Sequence, residues 1–111
     1  MRRVRVLVIE DQPLMREGLE TLIASSEDAT AVGVVDSGDA AIRALASCTA
    51  DVVMLDLDLG GEDGLEVIPR IAEVAPGMKV LAFTALRRPR SPTSHRLTDA
   101  ASVLAISRAS F

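Results

Sequence analysis

The sequence predicts an α/β fold in which helices cover both faces of a parallel β-sheet. Short apolar runs that fit buried strands alternate with segments whose apolar residues recur at the helical period. Only short loops separate them, and this alternation is typical of parallel sheets. Since the chain has 111 residues, of which 49% are hydrophobic, we expect a single domain spanning residues 1–111.

Four segments are predicted to be strands: residues 4–9, 30–35, 51–56 and 78–83. They are rich in Val, Ile, Leu and Met, and the first and third are nearly continuous apolar runs. Such runs are typical of parallel strands buried on both faces. Right-handed crossovers between these strands leave few sheet arrangements open.

Three segments are predicted to be helices. The first opens at Gln12-Pro13, because proline is favoured early in a helix, and the second is capped by Ser37. The third begins at Asp63-Gly64 and ends before Pro76-Gly77. The residues expected on the inner faces are Leu14, Met15, Leu19, Leu22 and Ile23, then Ala40, Ala41, Ala44 and Leu45, then Leu65, Ile68, Ile71 and Ala72.

Acidic residues follow two of the predicted strands. The first strand ends at Glu10-Asp11 and the third at Asp56. Since ligands bind outside the carboxyl ends of parallel strands, we expect these acids to meet at one edge of the sheet. At about 4 Å and an effective dielectric of about 20, each pair of carboxylates repels by about 4 kcal/mol. A hard divalent cation would relieve that repulsion, and Mg²⁺ prefers such oxygens.

A carboxylate beside Mg²⁺ can act as a nucleophile toward a phosphoryl group, so Asp56 is the predicted phosphoacceptor. Thr84, after the fourth strand, offers a hydroxyl to a phosphoryl oxygen, and Ala85 offers its N–H. The side chain of Asp58 should point away, so its backbone carbonyl is the expected metal ligand. The plainer alternative is that these acids are helix N-caps, but their number at matching strand ends favours the phosphate site.

Composition narrows the class of protein further. A net charge of −4 argues against nucleic acid as the main partner. The single cysteine, Cys48, excludes an internal disulfide and is expected to be a small core residue. No apolar run approaches the roughly 18 residues of a membrane span, and we expect a cytoplasmic protein. His95 is expected to be solvated.

The pattern changes after Leu86. Residues 87–92 contain three arginines and two prolines, which excludes a regular strand or the interior of a helix. From residue 93 a weak helical stripe appears, whereas Ser102–Ile106 fits a short strand equally well. Periodicity alone does not decide between a helix and a strand for this segment.

Three motifs resemble the receiver domains of bacterial two-component response regulators of the NarL/FixJ type. They are Val6–Leu19 (VLVIEDQPLMREGL), Val52–Leu59 with Gly61–Glu66 after it, and Phe83-Thr84-Ala85. The resemblance covers residues 4–86 and implies a flavodoxin-like three-layer fold with a parallel sheet of order 2-1-3-4-5. It also implies that a sensor histidine kinase phosphorylates Asp56. Mg²⁺ would be held by Glu10, Asp11, Asp56 and the backbone carbonyl of Asp58.

The chain departs from that family beyond residue 86. The family has a lysine at the end of the fifth strand, but here the only lysine is Lys79, and Ile106 stands near the expected place. The aromatic switch residue, the last helix and the DNA-binding output domain also have no counterpart. We therefore interpret the chain as a truncated or atypical receiver domain, with a frameshift as one hypothesis, and expect no direct DNA binding. Without a proper fifth strand, residues 78–83 would be an exposed edge, which predicts homodimers or larger species, or a marginally stable fold.

Two alternatives stay open beside this signalling module. The spacing of Asp56 and Asp58 also fits a haloacid-dehalogenase-like phosphatase, in which the second aspartate is an acid–base group. The other alternative is a pseudo-receiver or a fragment that only binds partners and accepts no phosphoryl group. Turnover of a phosphomonoester would favour the phosphatase, and a failure to bind phosphate analogues with Mg²⁺ would favour the pseudo-receiver.

Overall fold

Strands and helices alternate along residues 2–85 and 101–109, which are the residues that the computed structural model describes. None of the helices in these ranges is long and apolar enough to cross a membrane. A 3₁₀ turn, Gly64–Glu66, precedes the third helix. The elements are β1 Val4–Ile9, α1 Pro13–Ala24, β2 Ala29–Val35, α2 Gly38–Ser47, β3 Val52–Asp56, β4 Asp58–Leu59, β5 Glu62–Asp63, α3 Val67–Val74, β6 Met78–Ala85 and β7 Ala101–Ala109.

The main sheet has the order β2-β1-β3-β6-β7, and its first four strands are parallel, as the sequence predicts. Ile9 of β1 pairs with Leu55 of β3, and Asp56 pairs with Phe83 of β6. The carboxyl ends of β1, β3 and β6 therefore lie at one edge of the sheet. Strands β4 and β5 form a separate antiparallel hairpin directly after β3.

The fifth strand occupies the expected position but runs in the opposite direction. β7 pairs with β6 antiparallel, from Met78 opposite Ala109 to Ala85 opposite Ala101. The strand interpretation of Ser102–Ile106 is confirmed, and an all-parallel sheet is not. A parallel strand beside β6 needs a crossover connection, which is usually a helix, whereas an antiparallel strand needs no crossover. The prolines at positions 89 and 92 disfavour a helix in the sequence between the two strands.

Because β7 covers β6, residues 78–83 are not the exposed edge of the sheet. The prediction that β6 pairs with another chain assumed an exposed edge, and that assumption is wrong. Self-association stays a prediction. His95 and the arginines of residues 87–90 lie outside the described residues.

The core lies on both faces of the sheet, because successive strand residues point to opposite sides. One face of β1 and β3 packs against α2 and α3, and the other face of β1 packs against α1. Full burial of one such apolar side chain contributes about 1.5–3 kcal/mol. The larger cluster contains Leu7, Ile9, Ala41, Val53, Leu55, Leu59, Val67, Ile71, Ala72 and Val80, and the smaller one contains Val6, Val8 and Ile23.

Three apolar helix residues predicted to face inward are instead exposed. Leu14 and Leu22 of α1 are 80% and 67% exposed, because only the narrow stripe through Leu19 and Ile23 reaches the sheet. Leu65 is 58% exposed, since it lies in the 3₁₀ turn before α3 begins.

The ends of α2 and the start of α3 test the remaining helix predictions. Ser37 caps α2 as predicted, since its hydroxyl accepts a hydrogen bond from the Ala40 N–H at 3.1 Å. Cys48 is the C-cap of α2 and half-buried, so it is not an inner-face helix residue. Val67, not singled out from the sequence, is fully buried at the start of α3.

Candidate metal site

The register of β1 and β3 brings three carboxylates together. Glu10 and Asp56 directly follow the paired residues Ile9 and Leu55, and both acids are fully buried. Asp11 comes next in the turn before α1 and is half-buried. One carboxylate oxygen from each of Glu10, Asp11 and Asp56 lies within 4.8 Å of those from the other two.

Each acid of this cluster has one buried oxygen that accepts no hydrogen bond from the described residues. Glu10 Oε2 accepts a hydrogen bond from the Gln12 N–H at 3.1 Å, and Asp56 Oδ1 accepts one from the Asp58 N–H at 2.9 Å. By contrast, Glu10 Oε1, Asp11 Oδ1 and Asp56 Oδ2 have no hydrogen-bond partner within residues 2–85 and 101–109. Buried polar atoms without partners are costly, and a divalent cation would satisfy all three. The donor set therefore fits a hard metal ion such as Mg²⁺.

The backbone of Glu10 is held from two sides. Its N–H donates to the carbonyl of Val35 at 2.9 Å, and its carbonyl accepts from Arg16 Nη1 at 3.0 Å. The guanidinium of Arg16 thus bonds the main chain of Glu10. These bonds fix the direction in which the Glu10 side chain enters the cluster.

Burial, and after it the neighbouring carboxyl of Asp56, together raise the pKa of Glu10 to about 8. Both effects disfavour the charged form. Around neutral pH and without a cation, Glu10 therefore retains a proton. A metal ion that binds here must displace that proton, which links metal affinity to pH.

The loop after β3 turns immediately beside the cluster. The N–H of Asp58 bonds Asp56, while the Asp58 side chain is exposed. An exposed side chain leaves only the main chain of Asp58 beside the cluster. The role of its carbonyl as a metal ligand stays a prediction. Two glycines let the loop approach: a Cβ on Gly60, whose φ is +71°, would lie 2.9 Å from Asp11 Oδ2, and one on Gly64 would lie 2.6 Å from the Asp56 carbonyl oxygen.

Thr84 lies at the same edge of the sheet. Its neighbour Phe83 is the register partner of Asp56, and the Phe83 carbonyl accepts a hydrogen bond from the Leu57 N–H at 2.8 Å. Thr84 is half-buried and one residue further along β6. The placement agrees with the sequence prediction, and the contact of its hydroxyl with a phosphoryl group stays a prediction.

Residues that sequence patterns did not single out connect this loop to α2. Glu62 accepts a hydrogen bond from the N–H of Gly38 at 3.0 Å, and Arg70 lies near both Glu62 and Asp39. No local pattern could have revealed the contact, because 24 residues separate Glu62 from Gly38.

The fold and the site together define a receiver-type α/β domain, with a buried acid cluster at the carboxyl edge of a parallel sheet. More particularly, the chain belongs to the family of response regulator receiver domains, whose model matches residues 6–105. That match extends beyond residue 86, where the motif resemblance stops.

Two relatives illustrate the sequence similarity. The response regulator GacA of Pseudomonas viridiflava is 32% identical over 90 residues, which cover 81% of this chain and 42% of GacA. The nitrate/nitrite response regulator NarL of Escherichia coli K12 is 32% identical over 79 residues, covering 71% of this chain and 37% of NarL. This chain therefore spans about two fifths of the length of these relatives.

Solved structures agree with this assignment. The receiver domain of a NarL response regulator from Mycobacterium tuberculosis is 32% identical, with a TM-score of 0.69, over 80% of this chain and 72% of that one. The response regulator domain of Thermotoga maritima CheB is 28% identical, with a TM-score of 0.70, over 84% of this chain and 69% of that one.

Proposed function

We propose that this domain accepts a phosphoryl group on Asp56 from a sensor histidine kinase, with Mg²⁺ as cofactor, as a signalling module of a two-component system. The observation that carries the proposal is a set of three buried carboxylate oxygens, those of Glu10, Asp11 and Asp56, that have no hydrogen-bond partner in the described part of a receiver fold. A single acid at the end of a strand could be explained as the N-cap of the next helix. Helix capping does not explain three acids that meet in one buried cluster.

Glu10, Asp11 and Asp56 are the residues that would hold Mg²⁺, together with the carbonyl of Asp58. When bound, the ion neutralises charge on the phosphoryl oxygens. The fit rests on chemistry, because hard cations select carboxylate and carbonyl oxygens.

The two oxygens of Asp56 have different roles in this proposal. Oδ1 accepts a hydrogen bond from the Asp58 N–H, which orients the carboxylate, whereas no described residue donates to Oδ2. A lone pair of the carboxylate forms the new P–O bond as the P–N bond to the phosphorylated histidine of the kinase breaks. The electron pair of that bond stays on the imidazole, and the product is an acyl phosphate. Thr84 and the N–H of Ala85 would contact phosphoryl oxygens.

The same geometry weighs against the phosphatase alternative. There the Asp58 side chain would act as acid and base over the site, yet it is exposed, and its backbone N–H bonds Asp56. We therefore propose a signalling role and not a turnover enzyme. One relative is a protein-glutamate methylesterase/protein-glutamine glutaminase from Syntrophus aciditrophicus, 34% identical over 73 residues, but this chain covers only 21% of it. The activity of the remainder does not carry over.

The proposal extends to setting and partners. We assign the whole chain to one domain in the cytoplasm. Its partners would be the kinase and a second copy of the chain, and direct DNA binding would be absent. The acidic net charge of −4 agrees with the last point.

Intact-mass measurement tests the proposal. Incubation with acetyl phosphate and Mg²⁺ should add one phosphoryl group to the wild type, and chelation of Mg²⁺ should prevent it. The variant Asp56→Asn should stay unmodified, while Asp58→Asn, which keeps the backbone carbonyl, should still be modified. An adduct that persists in Asp56→Asn would show that another residue is the acceptor. No adduct on the wild type, together with no binding of beryllofluoride, would support the pseudo-receiver.

A further inference from the structure

Glu62 connects the loop beside the acid cluster to the start of α2. Its Oε1 accepts a hydrogen bond from the N–H of Gly38 at 3.0 Å, and its Oε2 lies 3.8 Å from Arg70 Nη1. Arg70 Nη2 also donates to Asp39 Oδ1 at 2.6 Å. We call Gly38, Glu62 and Arg70 the clasp, and Asp39 lies outside it, beside Arg70.

The chemistry of a helix start explains the contact. The first N–H groups of a helix have no partner within the helix, and the positive end of its dipole attracts a carboxylate. At α2 the Ser37 hydroxyl accepts from Ala40, and Glu62 accepts from Gly38. The second of these caps comes from a distant part of the chain, so it holds two elements together.

Gly38 is the residue that admits the approach. A Cβ at this position would lie 2.6 Å from Glu62 Oε2 and 3.0 Å from Val67 Cγ2. Both distances are shorter than ordinary contacts between these atoms. Any larger residue would push the Glu62 carboxylate away from the helix start.

The clasp holds the far end of the loop that reaches the acid cluster. Leu57 attaches the near end to β6, and Glu62 attaches the far end to α2. Between them lie Asp58, whose N–H bonds Asp56, and Gly60, which lies against Asp11. Since Glu62 pairs with Leu59 in the hairpin, a displacement of Glu62 would also displace the strand that contains Asp58 and Leu59.

We infer that Glu62 is a positioning residue for the metal site: through the clasp it holds the loop with Asp58 and Gly60 against the cluster of Glu10, Asp11 and Asp56. This inference rests on the proposed function. Glu62 itself does not belong to the group of acids that meet within 4.8 Å. It acts through the backbone of the loop, as residues that orient metal ligands commonly do.

The geometry indicates which part of the clasp matters. The side chains of Glu62 and Arg70 are 34% and 41% exposed and 3.8 Å apart, so their ion pair contributes little. The hydrogen bond to Gly38 needs only an acceptor, which glutamine also provides. Glu62→Gln should therefore preserve the function of the clasp, and Glu62→Ala should remove it.

Mg²⁺ affinity, measured by isothermal titration calorimetry of the full chain, tests the inference. We expect Glu62→Ala to weaken the affinity by about 10-fold, the lower range for residues that orient metal ligands. Glu62→Gln should stay close to the wild type. Asp39→Asn is the matched control, because it removes the negative charge beside Arg70 without touching the loop and should leave Mg²⁺ affinity close to that of the wild type. Phosphorylation of Glu62→Ala by acetyl phosphate should slow at low Mg²⁺ and recover at saturating Mg²⁺.

Gly38→Ala is the second variant, since it displaces the Glu62 carboxylate while leaving that residue in place. It should weaken Mg²⁺ binding as Glu62→Ala does, and circular dichroism should show whether each variant is folded. Folded Glu62→Ala and Gly38→Ala proteins with wild-type Mg²⁺ affinity would overturn the inference and leave the proposed function intact. A wild type that does not bind Mg²⁺ would instead overturn the proposed function.

Discussion

Ile9 and Leu55 are register partners in adjacent parallel strands, and each is followed by a fully buried acid. The hydrogen bonding of the sheet therefore brings Glu10 and Asp56 together, whatever their mutual repulsion. Burial of the apolar partners stabilises the strands, and that stability keeps two buried carboxyl groups adjacent. The stability of Glu10→Gln and the dependence of wild-type stability on pH measure the cost of this arrangement.

Glu10→Gln should stabilise the metal-free protein near neutral pH, because the folded wild type must keep a proton on this carboxyl and the amide needs none. Glutamine keeps the size of the side chain and an acceptor for the Gln12 N–H, and it replaces a buried carboxyl beside Asp56. We expect the free energy of unfolding to rise by about 1 kcal/mol or more in the presence of a chelator. Mg²⁺ affinity should fall at the same time. Urea unfolding and calorimetry measure the two quantities, with exposed Glu17→Gln as the control. A parallel loss of stability and affinity would contradict this account.

The raised pKa of Glu10 predicts how stability depends on pH. The pKa is about 8 in the folded protein and ordinarily 4.5, so the folded state binds this proton more tightly than the unfolded state. Its contribution is fully present below pH 4.5 and is lost as pH rises toward 8. The groups that face Glu10 here are Asp11 and Asp56, both acidic.

Urea unfolding of the metal-free protein across this pH range measures the effect, and Mg²⁺ affinity should rise over the same range. In Glu10→Gln both dependences should become flatter. A wild-type stability that rises between about pH 5 and about pH 8 would be inconsistent with a raised pKa.

Two adjacent glycines of the loop should respond differently to alanine. Gly60 has φ of +71°, and a Cβ there would lie 2.9 Å from Asp11 Oδ2, whereas a Cβ on Gly61 would meet nothing within 4 Å. Gly60→Ala should destabilise the protein by about 1–2 kcal/mol, the cost of a left-handed backbone. It should also weaken Mg²⁺ binding through Asp11. Gly61→Ala should change both quantities little. Equal effects in the two variants would show that the loop does not contact the cluster in this way.

The ion pair of Arg5 and Asp51 predicts a second pH dependence, at acid pH. The carboxylate of Asp51 accepts from the Arg5 N–H at 2.8 Å, from Nε at 3.1 Å and from Nη2 at 3.0 Å. These bonds lower the pKa of Asp51 to about 2 from 3.8. Its stabilisation is therefore present above pH 3.8 and is lost as pH falls toward 2.

Asp51→Asn should be less stable than the wild type near neutral pH, and the difference should shrink as pH approaches 2. Acid titrations followed by circular dichroism measure it, with exposed Glu27→Gln as the control. A difference between Asp51→Asn and the wild type that is constant down to that pH would indicate lost packing instead of lost charge.

The parts of the fold that the sequence predicts are those controlled by short-range pattern. Apolar runs located four strands to within one or two residues, and Ser37 marked the start of α2. The position of Glu10 and Asp56 followed from one general rule about the ends of parallel strands. Local composition and this rule were sufficient to predict that the acids lie close together.

Features that depend on the surroundings of an element were not predictable. Leu14 and Leu22 follow the helical period but remain exposed, because the period does not state how wide a stripe the sheet covers. The direction of β7 could not be read from a short apolar run. The contact between Glu62 and Gly38 joins residues that only the tertiary fold brings together.

The reversal of β7 changes where a cation could be engineered beside the phosphoacceptor. Ser102 pairs with Thr84 and Ala101 with Ala85, whereas Arg108 pairs with Lys79 near the opposite edge. A lysine substituted at Ile106, near the position that the resemblance to the family suggests, would enter opposite Leu81 in the middle of the strand. Protein engineers who wish to introduce a lysine should therefore begin at Ala101 or Ser102, because these residues pair with the end of β6 that lies at the edge of the sheet with the acid cluster.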